Sequence, residues 1–216
     1  MFETLTPGPR DVLIVIDPQN DFCPGGALAV PNGDEVMAPI AELAARFANV
    51  VITQDWHPAD QISFASTHGR DPFSQVEVAY GPQVLWPDHC VQGTPGADFH
   101  PLIRERVLDR AQLILRKGYN RAVDSYSAFF ENDRTTATGL AGYLHDRGLT
   151  RCVFAGLALD FCVRYSAEDA RALGFEAVVL EAATRAIDLD GSRATALQAM
   201  RQATVPPLRN GTSVSL

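Results

Sequence analysis

Lysine is nearly absent from this chain of 216 residues: of its 18 basic residues, Lys117 alone is not arginine. Arginine stays protonated and presents a planar fork, whereas the compact ammonium of lysine shifts its pKa on burial. A chain that otherwise uses guanidinium therefore either needs an ammonium at Lys117 or keeps one by chance. Positive charge is also scarce overall, 18 basic against 26 acidic residues for a net charge of −8, and it is scattered singly. That excludes an electrostatic nucleic-acid footprint or a basic membrane anchor. No apolar run approaches the roughly 18 residues of a membrane span. The opening segment MFETLTPGPR has neither the basic start nor the apolar core of a targeting peptide, so the expected location is the cytoplasm. The four cysteines form no CxxC pair and no tight framework, and free thiols are expected. Nor does a GxGxxG loop follow the first apolar run, which argues against a nucleotide-binding module. Length and a hydrophobic content of 46% fit one globular domain over residues 1–216 with a small molecule as its partner.

What is present alternates. Short, β-branched apolar runs at Asp11–Ile16, Asn49–Thr53, Leu113–Leu115, Cys152–Ala155 and Ala177–Leu180 read as buried strands. Between and after them, Asp34–Ala48, Thr138–Arg147, Asp160–Leu173 and Ser192–Ala203 carry Ala and Leu at helical spacing with charges opposite. Pro39 falls in the first turn or so of its helix, where a missing N–H costs little, and Gly148 and Gly174 suit helix ends. This order predicts βαβ units and a parallel sheet, an α/β fold. The stretch from Trp56 to Pro101 keeps no period. Its aromatic and apolar residues argue for an ordered, functional loop rather than disorder.

In open parallel sheets, ligands bind beyond the carboxyl ends of the strands. There the sequence delivers Asp17, Asp55, the lone Lys117 and, after the fourth run, Cys162. Each alone is weak, since an Asp after a strand is usually a turn former and a Cys near a helix start is usually a small buried hydrophobe. Together they suit acyl transfer. Asp160 as N-cap would place Cys162 in the first turn of a helix, where free N–H groups favour thiolate, with Asp17 as base and Lys117 biasing the charges. Asp55 and His57, at i and i+2, share a side of an extended backbone, and His89 could join them from the loop. Two histidines and a carboxylate form a set suited to an open divalent-metal site, though a lone DxH recurs often by chance.

The segments VIDPQNDFCPGGALAV, TQDWHPADQISFAS, LWPDHCVQGTPGADF, RKGYNRAVDSYSAFF and GLALDFCV, in this order, resemble the nicotinamidase (pyrazinamidase) branch of the isochorismatase-like cysteine hydrolases. The resemblance spans Val15 to Val163, and the helix, strand and helix that follow also suit it. It implies a three-layer α/β/α doubly wound fold with a mainly parallel six-stranded sheet. It further implies hydrolysis of nicotinamide to nicotinate and ammonia in NAD salvage, and of pyrazinamide, through a thioester on the cysteine. Carried onto this chain, it implies Asp17, Lys117 and Cys162 as the catalytic set. The amides of Ala158 and Cys162 would form the oxyanion hole, beside a cis peptide at Leu157–Ala158. Phe22, Trp86 and Tyr126 would line the pyridine pocket. Asp55, His57 and His89 would bind one divalent ion, Zn²⁺ first, with Fe²⁺ or Mn²⁺ as alternatives. A homo-oligomer is a base-rate expectation. The chain departs from the pattern at Gln61, where many relatives carry a metal-adjacent His, so that Ser63 becomes a further candidate for the shell. It departs again at Leu159 and Phe161, which make the wall beside Cys162 more apolar. The competing reading is a metal-independent cysteine amidohydrolase of the same superfamily acting on another small amide or ureido compound. The DWH and WPDHC segments speak against it.

Overall fold

The computed structural model describes residues 5–205 and 207–208. Six strands, β1 (Asp11–Ile16), β2 (Asn49–Asp55), β5 (Leu113–Lys117), β6 (Arg151–Leu157), β7 (Glu176–Arg185) and β8 (Pro207–Leu208), form one sheet. It runs in the order β5-β2-β1-β6-β7-β8 with every pairing parallel. The two-residue period of a strand sends neighbouring side chains to opposite faces. In β1, Leu13 and Val15 enter the core beneath α1 (Met37–Ala44) and α3 (Pro101–Arg106). Val12, Ile14 and Ile16 enter the other core, beneath α4 (Leu140–Asp146), α5 (Arg164–Ala172) and α6 (Ser192–Gln202). The result is the expected three-layer α/β/α arrangement. A strand buried on both faces has to be apolar along its length, which is why residues 12–16 read as a continuous run.

The chain winds outward from β1 through β2 to β5, then returns to β6 and winds the other way through β7 and β8. The reversal lies between β1 and β6, and a cleft opens there at the carboxyl ends of the strands. Closure at this seam requires a glycine: at Gly156, with φ +115°, a Cβ would stand 2.1 Å from the carbonyl oxygen of Ile16.

The elements start near their predicted positions and differ at their ends. β2 and β5 continue two residues further, to Asp55 and Lys117. The side chain of Gln19 holds the end of β2 like an extra strand, its Oε1 accepting from Asp55 N and its Nε2 donating to Asp55 O, both at 2.8 Å. The helix expected over Asp34–Ala48 is a 3₁₀ turn (Gly33–Val36) followed by the shorter α1. The one expected over Asp160–Leu173 is a π-helical turn (Leu159–Val163) leading into α5. Gly148 and Gly174 follow their helices with φ of +64° and +90°, as helix-ending glycines do. The aperiodic stretch folds as α2 (Ala65–His68), an antiparallel hairpin of β3 (Gln75–Val78) and β4 (Gly81–Val84), and turns. No described helix is long and apolar enough to cross a membrane.

Candidate active site

Asp17 follows β1 directly and is fully buried, with Thr53 Oγ1 donating to its Oδ1 at 2.6 Å. Lys117, the last residue of β5, is 1% exposed. Its ammonium lies 2.9 Å from Asp17 Oδ2, contacts Asp55 Oδ1, donates to Ser125 O at 3.0 Å and stands 3.4 Å from Cys162 Sγ. Carboxylate oxygens of Asp17 and Asp55 and the thiol of Cys162 all fall within 4.8 Å of one another around that ammonium. A single buried cation is thus shared by two carboxylates and a thiol. Burial drives the pKa of Asp17 up, the Lys117 charge opposes it, and the outcome is a carboxyl raised to about 6.

Cys162 sits in the π-helical turn, as expected near a helix start, but two expectations change. Burial outweighs the nearby ammonium and pushes the thiol well above its ordinary value, so it rests as S–H rather than thiolate. Asp160 does not cap the helix. It is buried and turns away, accepting from Ile187 N at 3.1 Å, Asp188 N at 2.8 Å and the Ser192 hydroxyl. Ala158 occupies the cap position, preceded by a cis peptide bond at Leu157–Ala158.

Beside the thiol lies a cavity. Its wall includes Phe22, Trp86, Tyr126, Ala158 and Cys162, together with Asp55, His57 and His89. The Tyr126 hydroxyl accepts from Trp86 Nε1 at 3.1 Å and Gln83 Nε2 at 2.9 Å, which fixes two aromatic walls against each other. Leu28, Asp124, Ser125, Phe161 and Ile187 also line the cavity. Of these, only Phe161 stood out in the sequence. Asp124 carries no recognisable signal, since a lone Asp in a loop reads as a turn former. Phe161 packs edge-on to Trp86 with centroids 4.8 Å apart, giving the apolar wall its replacement of tyrosine suggests.

Asp55, His57 and His89 meet as a buried triad. Asp55 Oδ2 is 3.6 Å from His57 Nε2 and 3.9 Å from His89 Nε2. The Nδ1 atoms of the two rings lie against carbonyl oxygens, at 2.9 Å from Gly118 O and 2.7 Å from Pro87 O. A ring that donates from Nδ1 offers a free lone pair on Nε2, so both histidines aim a donor at the space beside the carboxylate. The set fits a divalent metal ion with open positions. Burial and the neighbouring His57 bring His89 down to about 4, so it is neutral and competent to ligate at neutral pH. Gly118, at φ +67°, is required here because a Cβ would stand 2.4 Å from the His57 ring. Gln61 Nε2 donates to the same Gly118 carbonyl at 2.9 Å, behind His57 rather than beside Asp55. Ser63 Oγ is buried and makes no hydrogen bond among the described residues.

A parallel, doubly wound sheet brings a buried thiol, a carboxylate and an ammonium together at its switch point, an arrangement that suits an α/β hydrolase. The isochorismatase domain model matches residues 11–210, and the chain belongs to that family. The nicotinamidase of Acinetobacter baylyi is 52% identical over 189 residues, 87% of each chain. Among solved structures, the nicotinamidase/pyrazinamidase of Acinetobacter baumanii superposes with a TM-score of 0.90 at 49% identity, over 94% of this chain and 97% of that one. The pyrazinamidase of Pyrococcus horikoshii, solved in complex with zinc, gives 0.73 at 33% identity over 93% and 99%.

Proposed function

We propose that the protein is a nicotinamidase that hydrolyses nicotinamide to nicotinate and ammonia, and pyrazinamide likewise, with Asp17, Lys117 and Cys162 as its catalytic residues. The observation that carries this reading is the Lys117 ammonium, which joins a raised carboxyl and a protonated thiol beside a cavity whose other wall is an Asp/His/His triad. The names of the relatives at 52% and 49% identity support the substrate.

The pyridine ring lies between Phe22 and Trp86, with Tyr126 closing the pocket and the carboxamide at Cys162. Near neutral pH, Asp17 is ionised and the thiol is not, so the proton of Cys162 passes to Asp17 as sulfur bonds to the carboxamide carbon. The carbonyl electron pair moves to oxygen, which the amides of Ala158 and Cys162 face. Lys117, 3.4 Å from sulfur, stabilises the negative charge as it moves. Asp17 returns the proton to nitrogen, the C–N bond breaks and ammonia leaves. Asp17 then takes a proton from water attacking the thioester, nicotinate departs and the thiol is restored. When bound by Asp55, His57 and His89, a divalent ion, Zn²⁺ by donor type, supplies a Lewis-acidic anchor for the ring nitrogen.

Ammonia release from nicotinamide by the metal-replete protein, with Cys162→Ala prepared identically as the blank, tests this reading. Release that disappears in the variant is the expected result. No release from folded wild type would refute it and favour the metal-independent amidohydrolase.

A further inference from the structure

The chain buries Asp11, Asp17, Asp55, Asp124, Asp160 and Asp169. A buried carboxylate is costly unless paired, and five of the six are provided for. Asp11 is held by Arg151, Asp169 by Arg134, and Asp17 and Asp55 by Lys117, while Asp160 accepts from two backbone amides and a hydroxyl. Asp124, 2% exposed, is the exception. Its Oδ1 accepts from the amide of its neighbour Ser125 at 2.7 Å, and its Oδ2 has only the Gln83 amide nitrogen at 3.5 Å. Among the described residues no cationic side chain pairs with it. Yet it lines the same cavity as Asp55, His57 and His89. Its atoms are not part of the triad whose ligand atoms converge within 4.8 Å, so it lines that cavity from outside the ligand set.

We propose that Asp124 is an outer-sphere carboxylate of the divalent-metal site, whose missing counter-charge is the ion itself. The inference rests on the metal reading above and extends it to a residue outside the ligands. A divalent ion held by Asp55, His57 and His89 would bring positive charge into the cavity that Asp124 also lines. Asp124 thereby raises the affinity for a divalent ion without touching it, as outer-shell partners do.

The test measures Zn²⁺ affinity by competition with a chromophoric chelator, together with the Tm of the metal-free protein, for wild type, Asp124→Asn, Asp124→Ser and Asp124→Glu. Both neutral variants can still accept from the Ser125 amide, so either one serves if the other folds poorly. The expected result is Zn²⁺ binding weakened about 10- to 100-fold in Asn and Ser, with most of the affinity kept in Glu. The metal-free Tm of the neutral variants should equal or exceed that of wild type, because an uncompensated buried charge has gone. Neutral variants that bind Zn²⁺ as tightly as wild type would overturn the proposal. So would weaker binding accompanied by a lower metal-free Tm, which would make Asp124 a scaffold of its loop. Wild type that binds no Zn²⁺ would instead overturn the metal reading on which the proposal stands.

Discussion

At the scale of single residues, Asp17 carries the sharpest pH signature. In the proposed reaction its carboxyl, raised from 3.8 to about 6 chiefly by burial, must be ionised to take a proton from Cys162. Activity, followed as kcat/KM, should therefore fall as pH drops through about 6. Stability responds with the opposite sign. The native state holds this proton more tightly than the unfolded chain, so the stabilising contribution of Asp17 is complete below the unfolded value of 3.8 and lost as pH rises through about 6. Asp17→Asn should abolish the acidic limb and lower kcat by roughly 10²- to 10⁴-fold. Persistence of the limb in that variant would assign it to another group. The residues that meet at the site were largely legible because strand ends in a parallel sheet are where reactive side chains collect. The protonation state of Cys162 was not. A helix start argues for thiolate, and only the packed structure reveals the burial that outweighs it.

At the scale of elements, the π-helical turn depends on Asp160, which ties it to the loop before α6 through Ile187, Asp188 and Ser192. Ile187 is also part of the cavity wall. Asp160→Ala leaves two backbone amides without their acceptor and should cost on the order of 3 kcal/mol in urea unfolding, with a raised KM for nicotinamide. A loss below about 0.5 kcal/mol would show that the loop holds by other contacts. Sequence pattern reaches elements unevenly. β-branched runs mark where strands begin, but the ends of β2 and β5 are set by contacts such as that of Gln19 with Asp55, which leave no periodic trace. The hairpin of β3 and β4 and the helix α3 escape the pattern because they are short and half-exposed, so their side chains do not have to alternate cleanly. β8 has two residues, too few for any period to register.

Over the whole molecule, the candidate metal triad joins distant parts of the chain: Asp55 at the end of β2 with His57 just beyond it, and His89 in the aperiodic stretch. An ion that binds this native arrangement and not the unfolded chain stabilises the fold by mass action, by about 2.7 kcal/mol at 100 times Kd. For a chain of this size that is a rise of roughly 5–10 °C in Tm. Thermal scans of chelator-treated protein against increasing Zn²⁺ should show it, and a Tm that does not move would count against the triad as a metal site.

The solitary lysine has a consequence beyond catalysis. Lys117 is 1% exposed and enclosed by carboxylates, so the described surface offers no lysine amine at all. Acylating reagents, and cellular enzymes that acetylate or ubiquitinate lysine, find no such target on the folded described surface. The one lysine ammonium is the one assigned to the proposed reaction, and it becomes reachable only once the fold has opened. For this chain, lysine modification and loss of the native state are the same event.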